Sequence, residues 1–248
     1  MGTAEVARAR PDGYTVGTAY NAPYTMAIHV LKPPYSIGDF TYIAQMTFGA
    51  QLVIGRLDSP ITNAAEFFEY ARKNPGKLTY GTDGIGGIAH FTSEKVFYAM
   101  KVKLRPIPYG GGGEITKALL GGHLDAGNVS VAAGAAQIKA GALRPIFVTT
   151  RERVGALPMV PGVTDLGVPE AEGFIWRGIV GPKGIPADRR AILEKAFREA
   201  CQTEKVRNFI NELGEKVVST SGQDFESLVR AEFESNAVVA KQIGLVAR

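Results

Sequence analysis

The chain is poor in the residues that most often carry chemistry. Its 248 residues include one cysteine, one tryptophan and three histidines. A lone thiol makes no internal disulfide and leaves the redox compartment open. Cys201, in a helix-like run beside Ala196 and Phe197, reads as a small core residue rather than a nucleophile. His29, His90 and His123 have no second ligand at metal-site spacing, and HExxH is absent. So are the GxSxG elbow and a Walker A lysine after a glycine turn. Carboxylates are common, but nothing in the sequence names a nucleophile. The expectation is a protein that is not an enzyme, with no metal and no cofactor. No run reaches the roughly 18 apolar residues that cross a bilayer. The opening MGTAEVARARPDGY is polar and charged, so no signal peptide and no direct membrane insertion are expected. The net charge of +4 is scattered, densest at Arg189-Arg190, and forms no stripe of the kind nucleic acid needs.

With 45% hydrophobic and 21% charged residues, the chain has the composition of a globular protein. Its length suits one large domain or two modest ones. Thr3 to Arg10 reads as a helix, followed by the turn Pro11-Asp12-Gly13 and a strand from Tyr14 to Ala19. Asn21 to Gly38, rich in Pro and Tyr, reads as loop with one helical turn near Tyr24 to Val30. Thr41 to Met46 and Gln51 to Ile54 read as two strands. Asn63 to Lys73 is a helix with its apolar face at Ala64, Phe67, Phe68 and Ala71. From Gly76 to Thr149 strand and helix patterns alternate: strands at Leu78–Gly81, Leu104–Pro108, His123–Gly127 and Arg144–Thr149, helices at Ile88–Met100, Glu114–Leu120 and Val131–Ala140. That order predicts an α/β fold with a parallel sheet. After a proline-punctuated loop, Gly173–Val180 is strand-like. Helices follow from Ala187 to about Thr203 and from Lys205 to Leu213, then a short strand Lys216–Ser219 and a last helix Gln223–Ile243.

The plentiful residue is glycine, 30 in all, and two clusters of it stand out. Asp83-Gly84-Ile85-Gly86-Gly87 and Tyr109-Gly110-Gly111-Gly112-Gly113 each follow a strand and precede a helix. Glycine permits positive φ and leaves no Cβ in a ligand's way. A helix start after such a turn offers free N–H groups and the positive end of its dipole, which suits an anion. Each turn is equally readable as an ordinary strand-to-helix connection. Gly84-Ile85-Gly86-Gly87-Ile88-Ala89 also fits the dinucleotide pattern GxGxxA. The acid expected about twenty residues on is missing near Leu104-Arg105-Pro106, where an arginine suits NADP instead. An NADP-binding oxidoreductase domain is therefore the alternative, and a stable remnant without a ligand is a third reading.

Several segments together resemble one family. PDGYTVGT at 11–18, NPGKLTYGTDGIGG at 74–87 with His90, PYGGGGEITKALLGGHLDAG at 108–127, IKAGALRPIFVTTRER at 138–153 and LPMVPGVTDLGVP at 157–169 are similar to the substrate-binding proteins of tripartite tricarboxylate transporters, the Bug or TctC family. The resemblance implies a class II periplasmic-binding-protein-like fold of two α/β lobes with a cleft between them. Residues 1–50 with 173–248 would form the first lobe, and 51–172 the second, carrying both glycine turns. It implies a periplasmic receptor that takes a small organic carboxylate to membrane permease subunits. The family's opening strand, glycine loop, helix and second strand are missing here, so the first lobe is expected to be incomplete and binding weak or absent. A truncated reading frame, a fragment and a divergent protein all fit that departure.

Carried over by motif, the expected ligand-binding residues begin with Asp83, Gly84, Ile85, Gly86, Gly87 and His90. Here Ile85 stands where Asn is common, Gly87 where Ser is common, and Asp83 where a small neutral residue is common. The turn has thus lost side-chain donors, and Asp83 would repel a carboxylate. Tyr109 to Gly113 become the better anion seat, with Tyr109 a ring wall, a hydroxyl donor or a packing residue. Asn128 and Ser130 follow the next strand. Tyr20, Asn21, Trp176 and Arg177 are placed at other edges of the cleft, with Arg177 either a carboxylate clamp or a surface charge on an edge strand.

Overall fold

A computed structural model describes residues 2–212 and 214–245. The chain divides into two compact units, Met1–Phe48 with Ile175–Arg248, and Gly49–Phe174. Strand β2 (Phe40–Arg56) contributes to both. The sequence reads it as two short strands broken near Gly49. It is one strand of 17 residues, because a single glycine without a turn partner does not stop a strand whose residues are mostly buried.

The unit Gly49–Phe174 continues with α3 (Ala64–Lys73), β3 (Thr79–Thr82), α4 (Ile88–Ala99), β4 (Arg105–Pro108), α5 (Gly112–Leu120), β5 (Ala126–Ser130), α6 (Val131–Lys139) and β6 (Leu143–Val148). Strand β3 lies between β4 and β5 and is parallel to both, as the alternating pattern predicts. The sheet is not wholly parallel, however. Strand β2 pairs antiparallel with both β5 and β6.

Alternation along the strands sends side chains to two cores. Val53, Tyr80, Ala126 and Phe147 meet Phe67 and Phe68 of α3 and Val96 and Phe97 of α4 on one face. Leu52, Ile54, Val129 and Val148 meet Ile115 and Leu119 of α5 on the other. Helix α3 shows why the sequence folds this way. Asn63 caps it by accepting the N–H of Glu66 at 3.0 Å, and its apolar residues at i, i+3, i+4 and i+7 are all buried. Helix α5 approaches so closely that a Cβ on Gly81 or Gly127 would stand 2.8 or 2.4 Å from Ile115. The two glycines let α5 sit directly on the sheet.

The other unit holds α1 (Gly2–Arg8), β1 (Gly17–Tyr20), α2 (Ala27–Leu31), β7 (Phe174–Pro182), α7 (Ala187–Gln202), α8 (Glu204–Glu212), β8 (Glu215–Ser221) and α9 (Gly222–Gln242). The strand expected over Tyr14–Ala19 is limited to Gly17–Tyr20. The expected Asn21–Gly38 loop is more helical than read, with a π-helical turn at Ala22–Met26 running into α2. Strand β7 lies between β1 and β2, and β8 also pairs with β2. Helix α9 is capped by Ser221, whose Oγ accepts the N–H of Asp224 at 3.1 Å. It buries Phe225, Val229, Val239 and Ala240. Cys201 is a buried residue of α7, and burial pushes its thiol pKa up, away from nucleophile chemistry. Leu213, the expected end of α8, lies outside the described residues.

Candidate functional site

Strands β3 and β4 end side by side, with Thr82 opposite Pro108. The N–H of Tyr109 donates to the carbonyl of Thr82 at 2.8 Å. Both glycine turns therefore leave the same end of the sheet, one strand spacing of about 4.8 Å apart. Helices α4 and α5 then run back over opposite faces, as their separate cores require. The two helix starts flank the carboxyl ends of parallel strands, where open α/β sheets bind ligands.

The first turn is already occupied by its own side chain. Gly84 and Gly86 take φ of +100° and +82°, which only glycine adopts freely, and fold the chain back on itself. Asp83 then reaches the start of α4. Its carboxylate accepts the N–H of Ile88 at 3.1 Å and of Ala89 at 3.0 Å. Desolvation raises its pKa above the ordinary aspartate value, while N–H groups of the turn and helix, those of Asp83, Ala89, His90 and Ile88, pull the other way. A Cβ on Gly87 would lie 2.2 Å from that carboxylate, so glycine there makes its place. His90 is buried, and its Nδ1 accepts the N–H of Gly86 at 3.2 Å. That bond puts the ring proton on Nε2, and burial pushes the pKa down to about 4. His90 thus braces the turn from inside. Ile85 is exposed at the tip. Only the N–H groups of Gly84 and Ile85, ahead of the helix, have no partner among the described residues.

This arrangement corrects two expectations. Asp83 does not stand beside an empty anion seat; its own carboxylate fills the seat. The GxGxxA turn is also not a dinucleotide cradle, because the first N–H groups of α4 that would meet a pyrophosphate are bound to Asp83.

The second turn differs. Glu114, in the first turn of α5, folds back and accepts the N–H of Gly110 at 2.9 Å. Its own N–H and that of Ile115 donate to the carbonyl of Gly111. The N–H groups of Gly111, Gly112 and Gly113 have no partner among the described residues. They belong to the cap and the first two positions of α5, where the dipole is strongest. No Cβ obstructs them, and Tyr109 is half-buried against the core beneath.

The remaining expected residues are mostly structural. Asn128 is buried, and its Nδ2 faces the carbonyl of Ala89 and the hydroxyls of Thr92 and Ser93 at 2.9–3.1 Å. It ties β5 to α4 rather than facing a ligand. Its Oδ1 and the hydroxyl of Thr82, also buried, have no partner among the described residues. Ser130 caps α6, its Oγ accepting the N–H of Ala133 at 3.4 Å.

In the other unit, Tyr20 lies opposite Arg177 where β1 pairs with β7, and its ring is part exposed. Asn21 is buried: its Oδ1 accepts the N–H of Trp176 at 2.8 Å and its Nδ2 donates to Glu232 at 2.7 Å. Trp176 is buried as well, with Nε1 donating to Glu232 at 2.6 Å. Neither side chain is open to a ligand. Arg177 is neither a free clamp nor an edge-strand charge. Strand β7 is internal, and the guanidinium pairs with the buried Glu215, which also accepts the hydroxyl of Thr47 at 2.6 Å.

Sequence reading missed Glu232 and Glu215. The signal for Glu232 was available: with Asn236 it falls on the apolar stripe of α9, at i+7 and i+11 from Phe225. An acid on a core stripe marks a buried partner, here the side chains of Asn21, Thr25 and Trp176. An open groove of about 460 Å³ along α7 is lined by charges such as Glu194 and Arg198, which pair with each other. Among the described residues no cluster of His, Cys, Asp and Glu is arranged to hold a metal, and no helix is long and apolar enough to cross a membrane.

Comparison with known proteins accounts for this architecture. A UPF0065 protein of Bordetella pertussis is 29% identical over 241 residues, covering 97% of this chain and 75% of that protein. The solved structure of R. palustris Rpa4515 with adipate superposes with a TM-score of 0.88 at 25% identity, covering 99% of this chain and 83% of the other. The periplasmic binding protein BugD superposes with a TM-score of 0.85 at 27% identity over 99% of this chain and 83% of its own. BugD is a binding protein, not an enzyme. The family described as the tripartite tricarboxylate transporter family receptor matches residues 1–245, and the chain belongs to it.

Proposed function

We propose that this chain is a periplasmic solute receptor that captures a small organic carboxylate and delivers it to the permease subunits of a tripartite transporter. The observation that carries this reading is the row of unpartnered N–H groups at Gly111, Gly112 and Gly113, aligned with the dipole of α5 at the carboxyl end of the sheet. A carboxylate seated there receives charge-assisted hydrogen bonds without needing a basic side chain. Tyr109 supplies a wall beside it. The adipate in the R. palustris relative supports the same ligand class.

Titration calorimetry of the folded protein against mono-, di- and tricarboxylates and aromatic acids tests this. Saturable heat with at least one carboxylate is expected. No heat with any of them would sink the reading.

A further inference from the structure

We propose that Asp83 is a specificity determinant: it closes the start of α4 to a second carboxylate, so the ligand is a monocarboxylate whose other polar end donates hydrogen bonds. This rests on the carboxylate-receptor reading and narrows it.

The two turns end neighbouring strands, so a ligand held at Gly111–Gly113 has its far end within reach of the first turn. There it does not meet the free helix start that would bind a second carboxylate. It meets the carboxylate of Asp83, fixed by the N–H groups of Ile88 and Ala89. The place is built, because a Cβ on Gly87 would collide with Asp83 Oδ1. The segments 83–90 (DGIGGIAH) and 109–114 (YGGGGE) contain two acids and neither lysine nor arginine, so the turns provide no counter-ion for another anion. At the same strand end the buried Thr82 hydroxyl has no partner among the described residues, a further sign of an incomplete polar site. Each carboxylate oxygen of Asp83 takes one helix N–H and retains acceptor capacity. An amino, amide or hydroxyl group satisfies it, and a carboxylate does not.

The test uses matched chains. Succinate, glutarate and adipate are titrated against the ω-amino monocarboxylates of the same lengths at neutral pH, with the protein as it stands and with Asp83→Ser and Asp83→Asn. The amino monocarboxylates are expected to bind at least about tenfold more tightly than the dicarboxylates, since like charges at short range disfavour one another strongly in a partly desolvated site. Both variants are expected to erase or invert that order. Dicarboxylate binding by the unmodified protein as tight as that of the amino series would overturn the role of Asp83 while leaving the receptor reading intact. Binding of neither series, nor of any acid in the wider panel, would overturn both. The comparison within the unmodified protein is decisive even if a variant fails to fold.

Discussion

At the first glycine turn the carboxylate of Asp83 receives the N–H groups of Ile88 and Ala89. At the second, the carboxylate of Glu114 receives the N–H of Gly110, outside the helix, and the N–H groups of Gly111 to Gly113 have no partner among the described residues. The two turns share a strand–glycine–helix plan and each carries one acid. What separates them is where the acid stands. Asp83 precedes its helix, so its short side chain folds forward over the first N–H groups. Glu114 lies inside its helix, so its longer side chain reaches back past them. A helix start is thus an anion site only if the chain has not supplied the anion itself.

The largest expected effect concerns the closed turn and acid. His90 is buried and neutral, its pKa pushed down from 6.5 to about 4. The native state therefore binds fewer protons than the unfolded chain between those values. The stabilisation is present above about pH 6.5 and is lost as pH falls towards 4, by roughly 3 kcal/mol in total. The raised carboxyl pKa values of Asp83 and Glu94 act in the opposite sense. The His90 contribution is read as the difference between the protein and His90→Asn in urea unfolding across pH 4 to 7. An equal slope for both would show that burial does not hold the His90 pKa down.

Next comes the open turn. Gly112→Pro removes one N–H at the first position of α5, where proline is tolerated. Loss of one hydrogen bond to a charged ligand is expected to weaken carboxylate binding by about 10- to 100-fold. Gly113→Ala keeps every donor and meets no atom within 4 Å, so calorimetry with the same ligand is expected to give unchanged affinity. Equal effects of the two substitutions would remove the backbone donors from the explanation.

The smallest effect is at Glu114. Glu114→Gln keeps an acceptor for Gly110 but removes an exposed negative charge, and about a two- to fivefold gain in carboxylate affinity is expected. Salt titration checks it, since the gain is expected to shrink at high ionic strength.

Much of this was legible in the sequence. The apolar face of α3 and the strand-to-helix position of both glycine turns follow from residue type and spacing. The sequence also shows an acid next to the first turn. It does not show that φ at Gly84 and Gly86 swings that acid onto the helix start, because the direction of a side chain in a turn depends on backbone angles that glycine leaves free. The same limit hid the partners of Asn21, Trp176 and Arg177. Asn21 follows the end of β1 and Trp176 and Arg177 lie within β7, positions that read as site edges, yet each is tied to an acid 38 to 211 residues away. Long-range pairing of this kind leaves no local pattern. Only the acid on the core stripe of α9 betrayed it.

The assignment of a closed first turn and an open second turn is tested most directly by amide nitrogen–proton NMR during titration with a bound carboxylate. The amides of Gly111, Gly112 and Gly113 are expected to move downfield with saturation while those of Ile88 and Ala89 stay in place. Movement centred on Ile88 and Ala89, with the three glycines unaffected, would contradict it.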